Sequence, residues 1–152
     1  MKNPGYRLKN AWFQKLNGNI FISSVPISVH REDAGALPSS HYVLIRSGGS
    51  RNENTDNSFM RRVSLFIQIV TKFSSTETIN DEIVESIEEQ ITQLVMPDGQ
   101  ANLDDALTDG TDFQVNNVIN QDDSYETFED TDNSLKYHIK TTRWEHLAVQ
   151  KN

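Results

Sequence analysis

The chain has 152 residues, enough for one domain with a sizeable core, and no cysteine, which excludes disulfides, thiolate metal sites and a cysteine nucleophile. Its net charge of -8 is segregated: residues 1–72 carry ten basic and four acidic side chains, residues 73–135 carry seventeen acidic ones and no Lys or Arg, and residues 136–152 carry four basic and one acidic. The middle stretch is unsuited to gripping nucleic acid, because phosphate neutralisation needs Lys or Arg.

Pro4 and Gly5 precede a segment in which Leu8, Ala11, Trp12, Lys15 and Leu16 recur at helical spacing, and Asn17-Gly18 supplies a stop. This predicts a short amphipathic helix. The N-terminal residues Met1–Arg7 lack the apolar core of a signal peptide. Val25, Ile27 and Val29 alternate with Pro26, Ser28 and His30 as in a short strand, where Pro26 belongs at an edge or a start. A loop over 31–40 leads to a second strand over His41–Arg46. Within it, Tyr42–Ile45 is the longest strictly apolar run, far too short to span a membrane as a helix.

Residues 47–60 are polar and contain Gly48 and Gly49, so they are expected to form a long β-loop. Arg61–Phe73 carries the strongest strand pattern: Val63, Leu65, Ile67, Ile69, Thr71 and Phe73 share one face. The hydroxyl-rich Ser74–Thr78 is suited to capping a helix that runs to about Val95, with Ile79, Ile83, Ile87 and Ile91 in one stripe flanked by Val84 and Leu94. Glu85, Glu88 and Glu89 fall on its outer face. An acidic loop region follows at 97–111. Phe113, Val115, Val118 and Ile119 begin a strand region, Gln121–Ser124 makes a turn or bulge, and Tyr125–Phe128 continues the strand. After a turn at Asp130–Asn133, Leu135, Tyr137 and Ile139 alternate in a last strand to about Trp144. The order α-β-β-β-α-β-β predicts an α+β fold: a mostly antiparallel sheet with two main helices packed on one face.

Few residues suggest catalysis. His30, His41, His138 and His146 show no metal-ligand spacing. Ser47-Gly48-Gly49-Ser50 is neither a nucleophile elbow nor a phosphate loop. Asp98, Asp104, Asp105, Asp109 and Asp112 are dense enough to raise calcium, but they do not follow the spacing of a calcium loop. No enzyme activity, cofactor or metal is expected. The remaining signal is charge. Arg46, Arg51, Arg61 and Arg62 gather around the β-loop, and they suit DNA phosphate, an acidic face on an adjacent subunit, or an ordinary solvated loop. With Glu85, Glu88 and Glu89 they form the candidate subunit or partner interface.

Several pieces together resemble the phage tail terminator or tail completion proteins: the N-terminal helix, Val25-Pro26-Ile27-Ser28-Val29, Tyr42-Val43-Leu44-Ile45 and the long loop. So do Arg61–Val70 with its amphipathic helix, and Tyr125 with the Leu135–Ile139 ending. The resemblance covers most of the chain and departs from the pattern at Gly99–Thr111. It implies a single domain over 1–152 that forms a hexameric ring. Such a ring caps the head-proximal end of the tail tube, stops its polymerisation and joins the tail to the neck. The implied partners are other copies of the chain, the tail tube protein and a neck or connector protein, with DNA passing through the ring unbound and no membrane. The implied location is the virion, after synthesis in the host cytoplasm. The alternatives are a neck or stopper protein contacting the portal or its adaptor, and a small acidic domain that binds a basic protein.

Overall fold

A computed structural model describes residues 5–32, 40–54, 60–97 and 113–150. The elements in chain order are α1 (Gly5–Leu16), β1 (Phe21–Ile22), β2 (Val25–Pro26), β3 (Ser28–Arg31), β4 (Tyr42–Asn52), β5 (Met60–Ser74), α2 (Asp81–Val95), β6 (Phe113–Asp130) and β7 (Leu135–Gln150). The main sheet has five strands in the order β3-β4-β5-β7-β6, and β1 and β2 form a separate two-stranded ribbon. The fold is α+β, as the element order predicts. All pairs in the main sheet are antiparallel except β3 with β4, which is parallel.

Binary patterning explains the core. Along β5 the odd-numbered Val63, Leu65, Ile67 and Ile69 face the helices, since side chains alternate across a strand. Against them pack Leu8, Ala11, Trp12 and Leu16 of α1 and Val84, Ile87, Ile91 and Val95 of α2, so both helices lie on one face of the sheet. Burying each Leu or Ile contributes roughly 1.5–3 kcal/mol. At the centre, the rings of Trp12 and Trp144 meet edge to face with centroids 5.1 Å apart.

The structure differs from the sequence expectation at four places. The predicted strand over 25–30 is split: Val25–Pro26 pairs with β1, and Ser28–Arg31 enters the main sheet. The division falls just after Pro26, whose missing N–H suits a short ribbon and not the interior of a sheet. The expected loop at 47–60 is strand as far as Asn52, because polar Ser47, Ser50 and Arg51 pair with β5 as well as apolar residues do. Helix α2 starts at Asp81 with Asn80 as its cap, the Asn80 carboxamide oxygen accepting from the Glu82 N–H at 3.0 Å. Ser74 and Glu77 instead close the turn after β5. The last strand continues past Trp144 to Gln150. The bulge expected at Gln121–Ser124 is present, as a register shift between Asn120 and Asp122 within a continuous β6. The acidic region expected at 97–111 lies, beyond Pro97, outside the described residues.

Among the described residues, one face of the sheet carries no helix. Tyr42, Leu44, Val70 and Tyr137 form a second, smaller apolar cluster there, with Leu135 and Ile139 packed against it.

Candidate functional site

The helix-free face has two chemically different ends, and the strand register creates both. At one end Arg46 is the register partner of Phe66, Phe66 of Arg143, and Arg51 of Arg62, which puts four arginines on one face. Arg51 reaches this face only through a bulge. Between Ser47 and Ser50 the pairing slips by one residue, so that Ser47 and Ser50 both face the helices and Arg51 turns to the opposite side. Gly48 permits the slip: a Cβ there would lie 2.9 Å from the Ser64 carbonyl oxygen and 3.1 Å from the Phe66 ring. Gly49, at φ +92, takes a backbone conformation that L side chains resist.

Two carboxylates organise these arginines. Arg62 donates to Glu53 at 3.0 Å and to Glu145 at 2.7 Å, while Arg143 donates to the second Glu145 oxygen at 3.1 Å. Arg51 Nε lies 3.0 Å from Glu53. Hydrogen bonding from Arg62 holds the Glu53 carboxyl below its ordinary range, and the same bonds to Glu53 and Glu145 raise Arg62 further. An open cavity of about 300 Å³ lies between Gly49, Arg51, Arg62 and Arg143. Arg46 is exposed. Arg61 falls on the helix-side face and donates to Ser50 Oγ at 3.0 Å.

At the other end of the face, Phe128 stacks on Tyr137 with centroids 4.7 Å apart and 14° between planes. A cavity of about 430 Å³ opens beside them over Tyr42, Val70 and Ile139, rimmed by Asp130 and Asp132. The Lys72 ammonium stands 5.6 Å from the ring centroids of both Tyr42 and Tyr137. Burial lowers the Lys72 pKa and raises that of Tyr42.

The acidic candidates sit on α2, across the sheet from Arg46, Arg51 and Arg62. Glu85 and Glu89 are exposed. Glu88 is turned inward and forms an ion pair with buried Lys140, which also has Asp123 at 3.7 Å. Burial pulls Lys140 down, but hydrogen bonds with Glu88 and Tyr125 and the charges of Glu88 and Asp123 carry it above its ordinary value. Asp81 stands 3.3 Å from Nε2 of His138, whose Nδ1 pairs with Thr127 Oγ1 at 3.0 Å. The structure therefore does not bring the arginines and α2 glutamates into one site. Arg62 and Glu88 are each engaged within their own chain.

Sequence reasoning missed Arg143, Glu53, Glu145, Lys140 and the Phe128–Tyr137 pair. A weak signal existed for Lys140: it is a charged residue at a helix-facing position of an alternating strand. Among the described residues, no group of three His, Asp or Glu side chains could hold a metal ion, and no helix is long and apolar enough to cross a membrane. The aspartates from Asp98 to Asp112 lie outside the described residues.

No family model matches the chain, and no curated protein matches it. Among solved structures it is similar to a chain of the virion of a native gene transfer agent (GTA) particle, with a TM-score of 0.53 at 10% sequence identity. The likeness covers 91% of this chain and 93% of that one, and it is a likeness of fold.

Proposed function

We propose that this chain is a structural protein of a phage-like virion, a ring component at the head-proximal end of the tail tube that joins it to the neck. The observation that supports this reading is the match of nine-tenths of the fold, over both lengths, to a chain of a gene transfer agent virion. The segregated charge agrees with it. A ring subunit meets its neighbours through two different patches, and complementary charge sets their register and orientation. The role is one of assembly and not of catalysis. Copies of the chain, the tail tube protein and a neck protein are its partners, and DNA passes through without specific binding.

The test is assembly of the purified chain, alone and with its tail tube protein, followed by light scattering and negative-stain microscopy. The expected result is a ring near six subunits, or rings seated on tube ends, with tubes growing to uncontrolled length in its absence. A chain that forms no ring and leaves tube ends bare and tube length unchanged overturns the reading.

A further inference from the structure

We propose that the helix-free face of the sheet is a copy-to-copy interface, in which the Arg46 and Arg51 end of one molecule docks into the aromatic, acid-rimmed groove at the opposite end of the next. The inference rests on the ring reading and names the surface that would carry it.

The groove has the chemistry of a guanidinium receptor. Its floor is apolar, its wall is the stacked Phe128–Tyr137 pair, and its rim is Asp130 and Asp132. Phe128 is 44% exposed although it stacks on a buried ring. Lys72 already stands over Tyr42 and Tyr137, so these ring faces hold one cation of their own chain. Arginine combines the two properties this site asks for: its plane stacks on aromatic rings, and its fork pairs with carboxylates.

The same chain supplies the complement but cannot deliver it to itself. Arg51 is the register partner of Arg62, whereas Tyr42 on the groove floor is the partner of Val70. At about 3.4 Å per residue along β5, that separation is roughly 27 Å. A second copy closes the gap. The arginine end carries Arg46, Arg51, Arg62 and Arg143 against Glu53 and Glu145, an excess of positive charge, whereas the groove rim is acidic. Among the described residues Arg51 pairs with Glu53, its own side chain 70% exposed, and an ion pair so open to water exchanges readily. Docking in one direction is head-to-tail, and repetition closes a ring when the rotation permits, whereas reciprocal docking of two copies gives a two-fold dimer.

The experiment is sedimentation velocity on the full chain over a wide concentration range. It compares wild type, R46E/R51E, D132K and an equimolar mixture of the two variants, with thermal melts confirming that each is folded. Asp130 is left intact because it holds the β6–β7 turn through Asn133. Wild type is expected to self-associate. Each variant alone should associate more than about tenfold more weakly, since like charges then meet, and the mixture should regain assembly. A wild-type ring that both variants form equally well overturns this interface and leaves the ring reading standing. A two-fold dimer lost in both variants supports the interface and counts against the ring. A wild type that stays monomeric throughout overturns the interface, and binding to tube ends then decides the ring reading separately.

Discussion

The indole N–H of Trp12 donates to Nε2 of His146 at 2.8 Å, joining the first helix to the last strand. That bond settles the tautomer. With Nε2 accepting, the proton is on Nδ1, which donates to the Val63 carbonyl at 3.0 Å. The imidazole is neutral and wholly buried, and burial pushes its pKa down to about 4. Because the folded pKa lies below the unfolded one, the unfolded chain binds the proton first as pH falls. The stability tied to His146 is complete above about pH 6.5 and is lost progressively down to about pH 4. The loss expected over that window is on the order of 3 kcal/mol. Urea unfolding at pH 7, 5.5 and 4.5 measures it, and H146Q should flatten the dependence. An unchanged slope in H146Q would assign the acid sensitivity to other groups.

Trp12→Phe removes the N–H and keeps most of the ring. It leaves Nε2 of His146 as a buried acceptor without a partner, a loss of about 1–3 kcal/mol, plus a smaller packing term. The expected result is a melting temperature lowered by several degrees at pH 7, together with a shift of the His146 ring resonances in NMR. A variant as stable as wild type would mean that water satisfies Nε2 in its place.

Much of the architecture was legible because its signals are periodic. The alternation of Val63 to Ile69 places the sheet face, and of the predicted stripe Ile87 and Ile91 are buried together with flanking Val84, whereas Ile83 is partly buried and Ile79 precedes the helix. What stayed hidden depends on register and not on composition. Ser47 to Asn52 is polar and glycine-containing, so nothing in its residue types distinguishes a paired strand from a loop. The parallel pairing of β3 with β4 is invisible to local patterning. The helix-facing side of β7 carries His138, Lys140, Thr142 and His146, which mask its alternation. Each finds its partner on an element remote in sequence: Asp81, Glu88, the Ile67 carbonyl and Trp12. The candidate interface was legible only as charge. That Arg51 shares a face with Arg46 follows from one bulge.

Gly48→Ala tests that bulge. The new methyl meets the Ser64 backbone oxygen at 2.9 Å, and a backbone atom cannot rotate away. A loss of roughly 1–3 kcal/mol is expected from overpacking. Gly49→Ala meets no atom within 4 Å but must hold φ at +92, for which about 1–2 kcal/mol is expected. Thermal melts of both variants give the comparison. A harmless G48A would show that β4 and β5 separate easily at this point.

The Lys140–Glu88 pair predicts an unusual order of effects. Glu88→Gln strands a cation that is 5% exposed, with Asp123 at 3.7 Å as its remaining ion-pair neighbour, and should lose about 2 kcal/mol. Lys140→Met leaves carboxylates whose side chains are 26% and 47% exposed, so water relieves them and the loss should be nearer about 1 kcal/mol. The double variant should lose less than the sum of the two, because the charges act together. Denaturant titration of the three proteins measures the order. A larger loss in K140M would show that packing of the lysine stem outweighs its charge.

Arg62 is the arginine to avoid when interface charge is tested by reversal. It is the shared partner of Glu53 and Glu145, and the Glu145 side chain is only 7% exposed. Arg62→Glu would crowd a third carboxylate beside these two and leave Glu145 with Arg143 as its remaining cation at 3.1 Å. Like-charge repulsion beside the largely buried Glu145 should lower the melting temperature, through the fold and not through any partner. Arg46→Glu lies on the same face at an exposed position and should change stability by no more than about 0.5 kcal/mol. Thermal melts of R46E and R62E in dilute solution, below any assembly, separate the two effects. If R62E melts with wild type, the Glu53–Arg62–Glu145 network does not hold this end of the sheet together, and Arg62 becomes as available to a neighbour as Arg46.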